Sequence, residues 1–178
     1  MNNHNWMKKF LAILGSSLIG LMLSTVTYAA NPEPVVVGVA FVAPISIDEV
    51  TNLEFGLVDI GMLVSETIVI APGGGVTDGA GRLVGALPRT AATFDTQAPA
   101  GKSITVQVTP VSDGAFYDLT LWRCDYNGAD EGDCATGISV TSVGGAGIPV
   151  RVGVTLTGVG GATETTDNGL FNLTITYN

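Results

Sequence analysis

The sequence predicts an all-β fold, an immunoglobulin-like antiparallel β-sandwich preceded by a signal peptide, and three observations carry that prediction. Apolar and polar residues alternate through several stretches, the period of a strand with one buried face. Turn residues, among them Asp113-Gly114, Asn168-Gly169 and the clusters Gly73-Gly74-Gly75, Gly144-Gly145 and Gly160-Gly161, separate those stretches at short intervals. No segment after the leader shows a helical stripe. Short strands at this spacing point to two packed sheets.

The leader comes first. Lys8 and Lys9 precede an apolar run from Phe10 to Val26, and Thr27-Tyr28-Ala29 offers small residues at a cleavage point before Ala30. That is the layout of a secretory signal peptide over 1–29. Gly15, Ser16, Ser17 and Gly20 weaken the run as a membrane span, and no cysteine near the cleavage point offers a lipid attachment atom. Residues 30–178 then suffice for one domain with one core. The expected location is outside the cytoplasm: periplasmic, cell-surface or extracellular.

Processing leaves Arg82, Arg89, Lys102, Arg123 and Arg151 against all sixteen acidic residues, five minus sixteen, a formal charge of −11. Such a surface repels nucleic acid and gives no reason to adhere to anionic lipid, so neither nucleic acid nor a membrane is an expected partner after cleavage. It keeps an exported domain soluble.

Pro34 to Ile47 reads PVVVGVAFVAPISI, with Val35, Val37, Val39, Phe41, Ala43, Ile45 and Ile47 on one face of a strand. Burying that face would contribute roughly 10 to 20 kcal/mol gross, and ordering the backbone costs about as much in entropy. The strand therefore needs a sheet, its own or a neighbouring copy's. In the second case Val35, Val37, Val39 and Phe41 are the side chains of an assembly strand.

Further along, Ile104, Val106 and Val108 alternate with Thr105, Gln107 and Thr109. Tyr117, Leu119 and Leu121 follow beyond Asp113-Gly114, so the two runs are expected to form a hairpin. Val150, Val152, Val154 and Leu156 share a face. The C-terminal strand repeats the pattern with Phe171, Leu173, Ile175 and Tyr177 against Asn172, Thr174 and Thr176. Less regular strands are expected near 53–60, 66–71, 82–86, 92–96 and 138–143.

Reactive chemistry is hard to assemble from these residues. The lone histidine, His4, lies in the leader, so the mature chain can build neither a serine-histidine triad nor a histidine metal site. Gly101-Lys102-Ser103 resembles the end of a phosphate loop, but Thr96 stands where the first glycine belongs and a strand follows instead of a helix. No spacing singles out two carboxylates for glycoside hydrolysis, although Trp122, Tyr117 or Tyr126 offers a ring for a sugar. The expectation is a non-enzymatic protein without a cofactor.

Cys124 and Cys134 are the only cysteines, and an even pair in an exported chain is read as a disulfide. Closing that loop would stabilise by roughly 2.5 to 3 kcal/mol in the chain-entropy account. Between them Asp125, Asn127, Asp130, Glu131 and Asp133 crowd oxygen ligands together. They are candidates for calcium, set against a solvated acidic loop tip with no metal.

The segments PISIDEVTNLEFGLVDIG, APGGG, SITVQV and GLFNLTITYN, in that order, resemble the bacterial domain-of-unknown-function 4402 family. Pro44, Leu53, Phe55, Gly56 and the closing Tyr177-Asn178 fit its pattern, and Trp122 to Gly137 reads as an insertion. The resemblance implies an exported, surface-associated β-domain without an assigned reaction. A weaker resemblance is to subunits of chaperone-usher pili, which pair an alternating N-terminal strand with a final strand whose penultimate residue is Tyr. It implies strand addition between copies, with the chain itself or an assembly chaperone as partner. The expected function is thus structural, a fimbria-like surface subunit. The alternative is a monomeric binding module using the acidic disulfide loop for calcium or carbohydrate.

Overall fold

The computed structural model describes residues 42–178. The leader and the expected assembly residues Val35, Val37, Val39 and Phe41 lie outside the described residues. Among these, the chain forms twelve strands and no helix: β1 (Ser46–Thr51), β2 (Leu57–Val58), β3 (Thr67–Ile70), β4 (Val76–Asp78), β5 (Leu83–Val84), β6 (Ala92–Gln97), β7 (Ser103–Ser112), β8 (Tyr117–Tyr126), β9 (Ala129–Asp133), β10 (Ile138–Thr141), β11 (Ile148–Gly158) and β12 (Leu170–Tyr177).

All pairings are antiparallel. β11 is the axis of the larger sheet: β8 runs along one side, while β6 takes the first half of the other side and β3 the second. β1 lies outside β6, β4 outside β3 and β9 outside β8. A second sheet has the order β10-β7-β12, and β2 with β5 forms a short ladder. The result is a sandwich-like all-β fold.

Burial follows the pleat where a strand has a sheet above it. Ile104, Val106 and Val108 of β7 and Val150, Val152, Val154 and Leu156 of β11 join one apolar cluster with Leu119, Trp122 and Ile175. Each fully buried side chain of this kind contributes about 1.5 to 3 kcal/mol. Trp122 packs on Phe171 of β12 with ring centroids 5.0 Å apart, and Phe171 meets Phe94 of β6 edge-on at 6.2 Å. These contacts join the two sheets.

Gly153 marks the place where β11 changes partner from β6 to β3. A Cβ there would lie 2.3 Å from the carbonyl oxygen of Ile70 and 2.6 Å from the nitrogen of Pro72, so only glycine lets the backbone leaving β3 pass this close.

Three expectations are corrected. Of the run from Pro34 to Ile47 only residues 42–47 are described, and the strand expected there is shorter: residues 42–45 are irregular, β1 begins at Ser46, and all six of its residues are exposed. β1 pairs only with β6 among the described residues and carries Asp48 and Glu49, so neither face is covered. The expected hairpin between Ile104 and Leu121 does not form, because β7 pairs with β10 and β12 while β8 pairs with β11 and β9. The connection crosses between sheets, held by Asp113, whose Oδ1 accepts from the amide of Leu119 at 2.7 Å. Finally, Leu121 does not share the inward face of Tyr117 and Leu119. A bulge opposite Val154 puts it at φ 49° and leaves it 71 % exposed, and Trp122 turns inward in its place.

Candidate functional site

The segment with the richest side-chain chemistry is the hairpin of β8 and β9. Tyr126 and Ala129 pair across Asn127 and Gly128, whose φ values of 52° and 85° are those of a two-residue type I′ turn. The acidic segment expected as a loop is thus ordered strand. Asp125 is only 6 % exposed, and its Oδ1 accepts from the amide of Gly128 at 2.7 Å, bracing the turn.

Cys124 and Cys134 form the expected disulfide, with both residues fully buried. The carbonyl of Cys134 accepts from the amide of Val108 at 2.9 Å, and its own amide donates to the carbonyl of Trp122 at 3.1 Å. The bridge therefore fastens the acidic hairpin to β7 of the opposite sheet.

The proposed calcium ligands are turned to local tasks. Asp130 pairs with Arg123 and also accepts from the amide of Gly132 at 3.0 Å. The Arg123 guanidinium, then that amide, holds the Asp130 carboxyl below its usual value. Asp133 accepts from the amide of Ala135 at 2.9 Å, and Asn127 occupies the turn. Among the described residues no three Asp, Glu, His or Cys side chains stand together in a way that would hold a metal.

A shallow concavity of about 360 Å³ opens between this hairpin and β10, lined by Tyr126, Asn127, Ala129, Glu131, Ser139, Val140, Thr141 and Val143. Glu131 is its single charge. Trp122 offers no platform to a sugar there, since it is 2 % exposed; its Nε1 has no hydrogen-bond partner among the described residues.

A second polar group ties the loop after β2 to β5. Arg82 forms two hydrogen bonds to Glu66, at 2.7 and 3.0 Å, and reaches Asp59 at 3.6 Å. The Arg82 hydrogen bond and the amide of Leu63 lower the Glu66 carboxyl, and Glu66 in turn raises Arg82. Asp78 is lowered by backbone amides, that of Leu83 foremost. These groups fix backbone and do not converge on a cleft.

The C-terminal strand keeps its expected alternation. Phe171, Leu173 and Tyr177 are half-buried and Ile175 is buried, with Asn172, Thr174 and Thr176 exposed. The Tyr-Asn ending has a structural role that sequence reasoning missed. The Tyr177 hydroxyl donates to the carbonyl of Ala43 at 2.6 Å. The Asn178 amide nitrogen donates to Ser103 Oγ at 2.8 Å and Ser139 Oγ at 3.1 Å, while its side-chain oxygen accepts from Thr105. Asn178 thus binds β7 and β10 together from the end of β12. Comparisons of the chain with protein families, curated proteins and solved structures gave no match.

Proposed function

We propose that this chain is an exported, non-enzymatic structural protein, a fimbria-like surface subunit with an immunoglobulin-like sandwich that assembles through addition of its N-terminal strand. The observation that carries this reading is how the acids of the described residues are used. Asp59, Glu66, Asp78, Asp113, Asp125, Asp130, Asp133 and Asp167 each accept a hydrogen bond from a backbone amide. Carboxylates committed to turns do not face one another across a substrate. Asp48, Glu49, Glu54, Asp118, Glu131 and Glu164 stay exposed, and beside them the sheet edges offer a partner open backbone, the surface on which strand addition works.

The leader of residues 1–29 and the acid-rich composition suit an exported protein. The alternative, a monomeric binding module, has its support in the concavity beside the disulfide hairpin, where Ser139, Thr141 and Asn127 offer hydrogen bonds to a carbohydrate.

Sedimentation and electron microscopy of the secreted chain separate the two. Assembly predicts oligomers or filaments that are lost when Val37→Asp and Phe41→Asp are combined. A chain that stays monomeric and folded at high concentration, and is unchanged by deletion of residues 30–37, overturns the assembly reading.

A further inference from the structure

The two sheets differ in charge. In the larger one every strand except β3 carries at least one charged residue, from Asp48 on β1 to Arg151 on β11. The smaller sheet carries none: β7 reads SITVQVTPVS, β10 ISVT and β12 LFNLTITY. In a chain with sixteen acidic residues, this sheet alone has been kept neutral.

Its inward side chains belong to the core, and its outer face is a register of hydroxyls and amides. Ser139, Thr105 and Thr176 form one row across β10, β7 and β12, and Gln107 with Thr174, then Thr109 with Asn172, continue it. All are exposed except the central Thr105 and Gln107, which are half-buried. Neighbouring groups stand about 4.8 Å apart across the strands and roughly 6.7 Å apart along them. Several are already held in place. Asn178 ties Ser103, Ser139 and Thr105 together, and Gln107 Nε2 donates to the carbonyl of Ala135 at 3.2 Å. Fixing donors and acceptors before a ligand arrives lowers the entropy that binding costs. At the β10 margin, Ser139 and Thr141 also line the concavity beside the disulfide hairpin.

Charge and area select the partner. The acid-rich chain repels a polyanion, and a cationic partner finds its counter-charges on the larger sheet. An apolar partner would strip water from these groups and give them no hydrogen bond in return. A second copy would meet too little surface, since three strands of this length cover about 15 by 25 Å, roughly half of the ~800 Å² per partner in a stable protein contact. A neutral polysaccharide fits: it is extended, uncharged and rich in both donors and acceptors, and its repeats add up weak contacts. The face has no aromatic ring, so it meets the hydroxyl edge of a sugar and offers no platform for its ring face.

We propose that the outer face of the β10-β7-β12 sheet binds a neutral polysaccharide, held by Gln107, Asn172, Thr174 and Thr176 and reaching the concavity past Ser139 and Thr141. This deepens the binding-module reading and rests on it for the ligand class, while moving the site from the concavity to the sheet. It is independent of assembly, because a monomer and a filament carry the same face.

The test is retention of the secreted full chain on cellulose, chitin, cross-linked dextran and mannan, with polygalacturonate as the anionic comparison. At least one neutral polysaccharide should hold the chain, equally at low and high salt, and polygalacturonate should not. Thr174→Val with Thr176→Val keeps shape and strand propensity but removes two hydroxyls, and should lower retention about tenfold. Thr67→Val with Thr77→Val, at exposed positions of the larger sheet, should leave it unchanged. On the unmodified chain, amide shifts on titration with fragments of the retained polysaccharide should concentrate in residues 103–109 and 172–178, and shifts concentrated elsewhere overturn the assignment. Retention by none of the panel overturns it together with the carbohydrate reading. Retention that survives the change at Thr174 and Thr176 but is lost in Asn127→Asp with Glu131→Ala returns the ligand to the concavity and overturns the face assignment alone. Loss in the Thr67 and Thr77 pair, or loss in high salt, also overturns it. Sedimentation should be the same with and without the Thr174 and Thr176 changes; a difference makes the face a contact between copies and overturns the assignment.

Discussion

β11 alternates along its length in the sequence, β1 takes up the end of the alternating run from Pro34 to Ile47, and the structure treats the two oppositely. β11 has β8 on one side from Val150 onward, β6 and then β3 on the other, and the second sheet above it, and Val150, Val152, Val154 and Leu156 are buried. β1 touches β6 alone among the described residues, and Ile47 and Val50 face solvent. Alternation therefore identifies a strand without saying whether anything covers it. Cover comes from the position of a strand in the sheet.

The sharpest way to break that contrast is to place the same charge in both strands. Val152→Asp should cost more than about 4 kcal/mol, because it leaves an unpaired carboxylate in a closed core, and should abolish cooperative unfolding. Val50→Asp, at a position 55 % exposed, should change stability by no more than about 0.5 kcal/mol in the same denaturant titration. Equal losses would refute the assignment of β1 to the rim.

Gly153→Ala comes next, at about 3 kcal/mol, since the new methyl meets backbone rather than a flexible side chain. Chemical denaturation measures it, and a neutral result would mean that β3 does not leave the sheet over Gly153. Removing the disulfide with Cys124→Ala and Cys134→Ala should lower stability by about 2.5 to 3 kcal/mol, with the loosening concentrated in β9 by hydrogen exchange.

The smallest effect belongs to Arg123 and Asp130, a pair whose side chains are about half exposed. The Asp130 carboxyl is held below its unfolded value. Its contribution is therefore complete above the unfolded carboxylate range near pH ~4 and fades as pH falls through the folded value. Arg123→Gln should lower the melting temperature slightly at pH 7 and by progressively less as the pH falls below ~4, with the difference shrinking in high salt.

Much of the fold was legible in the residues. The runs expected near 66–71 and 138–143 contain β3 and β10, that near 92–96 falls within β6, and the alternations of β7, β11 and β12 are each realised as strands. The acidic hairpin was legible too, since Asn127-Gly128 between Asp125 and Asp130 is a two-residue turn signal; the density of carboxylates hid it. β4 is too short to leave a pattern. Leu121 misled because a bulge adds one residue against Val154 and reverses the sides of every later residue in β8. At the candidate site the disulfide was readable from the cysteine count, whereas the separation of Asp125, Asp130 and Asp133 among the supposed calcium ligands depended on which amide each carboxylate reached.

The residues alone determined that this chain would form strands, where most of its turns would fall and which cysteines would join, because those follow from backbone preference and short-range spacing. Which strands became neighbours was decided only by the tertiary structure. Side-chain period does not encode a partner: β7 offers the same alternating face to β8 as to β12, and the choice falls to whichever arrangement covers Trp122, Phe171 and Phe94 together.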